Sequence, residues 1–219
     1  MNLVRNFRPV LFHRSRFLAR PIVNRMPLVT ISSSIKDALI QNEIIPTVIK
    51  DEQFVPKGLL IISYGDGKDV VMGNKLTPEK TQETPKISFA PNTDDSAAID
   101  PKDRFTLILT DPDAPTKGDK TWSEYCHYVV KDLEPSHFDD LSSNGVTLAP
   151  YIGPGPPPKT KFHRYVFLLY KQLGSSPEAP KDRPNWGTGV PGSGADDYAS
   201  KHGLELWAVN FFFAQNKDN

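Results

Sequence analysis

Beyond residue 58 the chain is a succession of short apolar runs separated by turn clusters. The runs fall at 59–64, 70–72, 87–89, 105–109, 128–130, 165–170 and 204–213. Each is about strand length, rich in Val, Ile, Phe and Tyr, and bounded by Gly, Pro or Asp, as strands are in sequence. Two helices are expected at the periphery. Ser32-Ser33-Ser34 precedes Ile35, Ala38, Leu39 and Ile40, an N-cap leading into a short amphipathic helix that must end before Pro46. Residues 195–202 follow the turn-rich Pro191-Gly192-Ser193-Gly194 and read as the second helix. The pattern predicts an all-β fold: an antiparallel Greek-key β-sandwich with a few short peripheral helices. Loops at 91–101 and 133–144 are polar and read as mobile connections. Neither an internal repeat nor a low-complexity tract interrupts the pattern, so residues 26–219 form a single domain.

Composition narrows the class. A chain of 219 residues can bury a substantial core as one domain. Its 21 prolines favour turns and edge strands over long helices. No apolar run approaches the roughly 20 residues that span a bilayer. Cys126 is the single cysteine, which excludes an intrachain disulfide. With no zinc-type ligand cluster either, neither a metal nor a cofactor is expected.

The net charge of zero hides an asymmetry. Residues 1–25 carry Arg5, Arg8, Arg14, Arg16, Arg20 and Arg25 and no acid. Removing those six from the 26 Lys and Arg leaves 20 against 26 acids, so the remainder carries about −6. An acidic body is the wrong sign for nucleic acid or an anionic lipid surface. The leader, with Leu, Val and Phe interleaved among Arg, has the composition of a mitochondrial transit peptide, although Pro9 and Pro21 limit any helix. The alternative is a tail preceding a working start at Met26. The first reading places the protein in mitochondria, the second in the cytoplasm, with vacuolar association as a variant.

Candidate chemistry gathers in two segments. Asp111-Pro112-Asp113-Ala114-Pro115 follows the strand-like 107–110, and Trp122-Ser123-Glu124-Tyr125-Cys126-His127 lies just downstream. Gly153-Pro154-Gly155-Pro156-Pro157-Pro158 leads into His163-Arg164-Tyr165. An Asp beside a His holds the imidazole in one tautomer and favours its charged form; an Asp in a turn is equally a cap. Asp111 is taken as the pocket acid and Asp113 as structural. His127 and His163 together can donate to phosphate or carboxylate oxygens, whereas either alone reads as a half-buried structural histidine. In the proline loop, glycine supplies unusual dihedrals and an unobstructed Gly155 amide. The same loop also reads as a Pro-rich surface motif. Tyr165 offers an aromatic wall with a polar tip, and Arg164, on the opposite strand face, an ion pair.

These motifs, in this order and spacing, resemble the phosphatidylethanolamine-binding protein family, most closely its fungal carboxypeptidase Y inhibitor branch. The resemblance covers about 35–213. It implies a cis Ala114-Pro115 bond, a strained peptide at Ser123-Glu124, and a ligand site formed by Asp111, Pro115, His127, Gly155, Pro156, His163, Tyr165 and Phe212. Phe212 stands where the family commonly has Tyr, removing a hydroxyl from the expected pocket mouth. Pro158 is an addition to the usual two prolines, and Cys126 replaces a His common in animal members. Asp182-Arg183-Pro184-Asn185-Trp186-Gly187 resembles a signature of the fungal branch, with Arg183 and Trp186 as a partner surface or, alternatively, as core and ion-pair residues.

The family implies a non-enzymatic protein that binds an anionic phospholipid head group or other phosphate-bearing ligand. The fungal branch adds inhibition of a serine carboxypeptidase. A hydrolase lacks an activated nucleophile among these motifs. A mitochondrial ribosomal role conflicts with the acidic body. No nucleic-acid partner is expected, and the protein is read as a monomer.

Overall fold

The computed structural model describes residues 28–219; the leader at 1–25 lies outside them. Eight strands follow one another: β1 (Gly58–Ser63), β2 (Asn74–Lys75), β3 (Lys86–Pro91), β4 (Phe105–Asp111), β5 (Tyr125–Leu133), β6 (Val146–Ala149), β7 (His163–Gln172) and β8 (Leu204–Ala214). Helices α1 (Leu28–Gln41), α2 (Ile44–Thr47), α3 (Thr93–Ser96) and α4 (Ala195–His202) are peripheral. Six strands form one sheet in the order β2-β8-β7-β4-β5-β6, and β1 pairs with β3 in a second, two-stranded sheet. The expectation of purely antiparallel pairing fails at one edge, where β2 runs parallel to β8.

Both faces of the large sheet are covered, so its central strands are buried almost throughout, β4 at every residue. On one face Ile108, Val129, Val166, Leu168 and Phe211 pack against Ile35 and Leu39 of α1 and Ala195 and Tyr198 of α4. On the other, Leu107, Leu109, Phe167, Leu169 and Phe212 pack against Leu60 and Ile62 of β1 and Ile87 and Phe89 of β3. The two faces alternate along β4 and β7 with the period of two that strands impose.

Three local expectations change. The serine triplet is not a cap: α1 starts at Leu28 and carries Ser32–34 in its interior. Ile31, Ile35 and Leu39, spaced four apart, pack on the core, and that burial outweighs the capping preference of serine. Residues 70–72 do not form a strand; the Asn210 amide donates to the Val70 carbonyl and its oxygen accepts from the Met72 amide. The polar 91–101 and 133–144 segments carry α3 and short helical turns at 135–137 and 141–143.

Candidate functional site

The C-terminal end of β4 and the N-terminal ends of β5 and β7 converge on a cavity of about 220 Å³. The loop between β6 and β7 closes one side through Gly153, Gly155, Pro156 and Pro157, while Ala114 and Pro115, joined by a cis bond, form another wall. Asp111, His127, His163 and Tyr165 line the interior. Seven of the eight expected ligand residues therefore meet in one place.

How β5 aims His127 depends on an irregularity. Thr110 pairs with Cys126 and Leu109 with Tyr128, which leaves His127 as an extra residue between them. This β-bulge breaks the alternation. Cys126 packs into the α-helical face while His127 and Tyr128 both turn to the opposite face. The thiol is buried, with its pKa pushed up to about 12 by burial, and takes no part in the cavity.

The two imidazoles have different freedom. His163 Nδ1 lies 2.8 Å from Asp111 Oδ2, and Nε2 lies 3.0 Å from Thr160 Oγ1. Both of its nitrogens are thus occupied. His127 Nδ1 donates to the Ile152 carbonyl at 2.8 Å, since a carbonyl can only accept, and this leaves Nε2 for the cavity. Burial holds His127 below its ordinary 6.5, opposed by the Asp111 charge and the Ile152 carbonyl. The Tyr165 hydroxyl is raised well above its ordinary value, chiefly by burial and then by the Asp111 charge. The Gly155 amide acts on it in the opposite, lowering sense.

Asp111, His163 and Thr160 stand in the order of a hydrolytic triad. The order is not the geometry of one: Thr160 gives its hydroxyl hydrogen to the Pro157 carbonyl at 2.7 Å and does not line the cavity. Among the described residues no Ser, Thr or Cys side chain lines the cavity; its hydroxyls are those of Tyr125 and Tyr165.

Asp113, two residues beyond Asp111, faces away. Arg164 grips it with Nη2 at 2.6 Å and Nε at 2.8 Å, and its backbone amide donates to the same carboxylate. Burial pushes Asp113 up, but the Arg164 hydrogen bonds and charge more than offset this and hold it below its usual value. Arg164 also donates to the Asn42 and Glu43 carbonyls, tying the end of α1 to β7.

Several expectations are corrected. Phe212 is fully buried and does not line the cavity; it stacks on the back of Tyr165 with ring centroids 5.3 Å apart. Residue 212 belongs to the β1–β3 side of the core, so it supports the aromatic wall instead of forming the mouth. Neither Gly153 nor Gly155 has a positive φ. What Gly153 provides is closeness, because an added Cβ would sit 2.8 Å from the Gln82 Cα. Pro158 is exposed and stands outside the cavity. Trp186 is a core residue, only 4% exposed, donating from Nε1 to Thr110 Oγ1. Half-buried Arg183 donates from its guanidinium to the Cys126, His127 and Pro150 carbonyls, which with the buried Trp186 matches the structural alternative for this segment.

The sequence reading missed Trp122, Tyr125 and Ile152, which also line the cavity. Trp122 and Ile152 are large apolar residues left about half exposed at its rim. Tyr125 carried a usable signal, lying two residues before His127 and hence on the same strand face. Between Trp122 and Tyr125, Glu124 is buried, its carboxyl pushed up to about 7 by burial. It accepts from Thr110 Oγ1 at 2.9 Å and from the Ala195 amide at the start of α4 at 3.2 Å, which fastens the Trp122 loop; the Ser123-Glu124 bond is cis.

Comparison with known proteins agrees with the motifs. The family model for phosphatidylethanolamine-binding protein matches residues 66–213. The carboxypeptidase Y inhibitor of Saccharomyces cerevisiae is 39% identical over 209 residues, covering 83% of this chain and 94% of that protein. A crystal structure of carboxypeptidase Y inhibitor complexed with its cognate proteinase superposes with a TM-score of 0.79, covering 87% of this chain and 98% of that one at 39% identity. A phosphatidylethanolamine-binding protein from Plasmodium vivax shares the fold with a TM-score of 0.63 at 24% identity, covering 83% of this chain and 97% of that one. The chain belongs to the phosphatidylethanolamine-binding protein family.

Proposed function

We propose that this protein is a non-enzymatic inhibitor of a serine carboxypeptidase of the carboxypeptidase Y type. The observation that carries the reading is the likeness to a carboxypeptidase Y inhibitor along nearly its whole length, together with the superposition on that inhibitor's structure in its proteinase complex. The test is a titration of a vacuolar-type serine carboxypeptidase with protein beginning at Met26. Activity should fall linearly to zero near one equivalent. Full activity at micromolar protein would overturn the reading.

A second reading concerns the cavity itself and stands beside the first. We infer that it takes the phosphate or carboxylate of an anionic ligand, such as a phospholipid head group. His127 Nε2 and the Gly155 amide are the groups that support this. Because a neutral His127 presents a lone pair there, an oxyanion needs a proton on the ring or brings one with it.

A further inference from the structure

The loop that closes the cavity runs from residue 150 to 162 between β6 and β7, tied to β5 by the Ile152 amide, which donates to the His127 carbonyl at 2.9 Å. Its prolines fix φ but leave ψ, and therefore the direction of each carbonyl, to be set by something else. Gln82 does this for one of them. Its Nε2 donates to the Pro154 carbonyl at 2.9 Å and to the Pro78 carbonyl at 2.7 Å. Gln82 is itself well held. Thr81 beside it is fully buried, its hydroxyl donating to Thr77 and Pro78, and the Tyr151 hydroxyl donates to the Thr81 carbonyl at 2.7 Å. Gly153 lets the two segments come this close, as a Cβ there would collide with the Gln82 backbone.

Pro154 and Gly155 share a trans peptide, in which C=O and N–H point in opposite directions. Turning the Pro154 oxygen outward onto Gln82 therefore turns the Gly155 N–H the other way, toward the cavity that Gly155 lines. A Cβ built on Gly155 meets nothing within 4 Å, so a ligand can approach this amide. A second clamp lies one proline further on, where Asn216 Nδ2 donates to the Pro156 carbonyl at 3.1 Å.

We propose that Gln82, 72 residues away in sequence, is the positioning residue that aims the Gly155 amide at the bound oxyanion. This rests on the reading of the cavity as an anion site. It makes a surface glutamine, outside every motif of the pocket, a determinant of ligand affinity.

The experiment is a titration with inorganic phosphate followed by the ¹⁵N–¹H shift of the Gly155 amide, with amide hydrogen exchange measured at the same position without phosphate. The proteins are the full chain, Gln82→Met, which keeps length and removes the donors, and Gly153→Ala, which displaces Gln82 while leaving its chemistry intact. Because Gln82 is exposed, Gln82→Met should melt at the same temperature as the unaltered protein. Both variants should bind phosphate about tenfold more weakly, the effect of one lost hydrogen bond to a donor-positioning group. Gly155 should exchange faster in both. Unaltered affinity and exchange in Gln82→Met would overturn the proposal. If the parent protein shows no phosphate-dependent shift, the anion reading of the cavity fails. The exchange rates then decide the clamp alone, faster exchange supporting it and equal exchange refuting it.

Discussion

Asp111 ends β4 and Asp113 lies in the turn just beyond it, and each meets a basic side chain from the first two residues of β7. Asp113 and Arg164 make a closed structure. The guanidinium fork is bidentate, the backbone amide adds a third bond, and the remaining nitrogen holds the end of α1. Asp111 and His163 make a single bond at the wall of a cavity, with Asp111 Oδ1 accepting from the Asp113 amide at 2.7 Å. The chemistry of the acids is identical. What differs is how many partners surround each: the strand period sends His163 and Arg164 of β7 to opposite faces, and the turn after β4 carries Asp113 round to Arg164 while Asp111 stays with His163. A buried charge with every lone pair satisfied holds the fold; one with solvent or ligand space beside it is available for binding.

That contrast can be broken first at Arg164. Arg164→Ala leaves the Asp113 carboxylate buried without its cation and frees the end of α1, and should cost about 3–5 kcal/mol of stability. Urea unfolding would show this as a large drop in midpoint; a loss below about 1 kcal/mol would mean that the pair is not structural. Asp111→Asn should be milder, about 1–2 kcal/mol, because an amide oxygen can still accept from the Asp113 amide while only the bond to His163 is weakened. Its larger effect should be on phosphate binding at the cavity. An Asn variant with parental affinity would remove Asp111 from the ligand site.

The smallest effect is a pH slope, and it comes from His127. Burial holds the folded ring below 6.5, so the unfolded chain takes up a proton first as pH falls. The stability its neutral form contributes is whole above pH 6.5 and is lost as pH drops through the lower folded value. Phosphate affinity should run in the opposite sense, rising between pH 8 and pH 6, since a bound oxyanion favours the protonated ring. His127→Gln should flatten both slopes. Persistence of the binding slope in that variant would assign the titration to another group.

Much of this molecule can be read from local chemistry. Strand positions at 59–64, 87–89, 105–109, 165–170 and 204–213, and the helix at 195–202, follow from apolar runs bounded by turn residues, because burial of alternate side chains and turn geometry are local constraints. The two-residue β2 and the four-residue β6 were not legible; a short edge strand exists only through its partner, here β8 and β5. The motifs around Asp111, His127 and His163 also identified residues that meet in space. They did so because each sits at a strand end, where one sheet edge collects them.

What sequence alone determined was seven of the residues that line the cavity and the family to which the chain belongs, since both are carried by motifs a few residues long. The roles within the set were decided by tertiary contacts. A bulge opposite Leu109 turns His127 inward, Thr160 and Asp111 occupy both nitrogens of His163, and Phe212 falls behind Tyr165. Trp186 is drawn into the core by Thr110, and Gln82 reaches the proline loop from 72 residues away. Register and long-range hydrogen bonds depend on which segments come to lie side by side, and a chain read one residue at a time contains no measure of that distance.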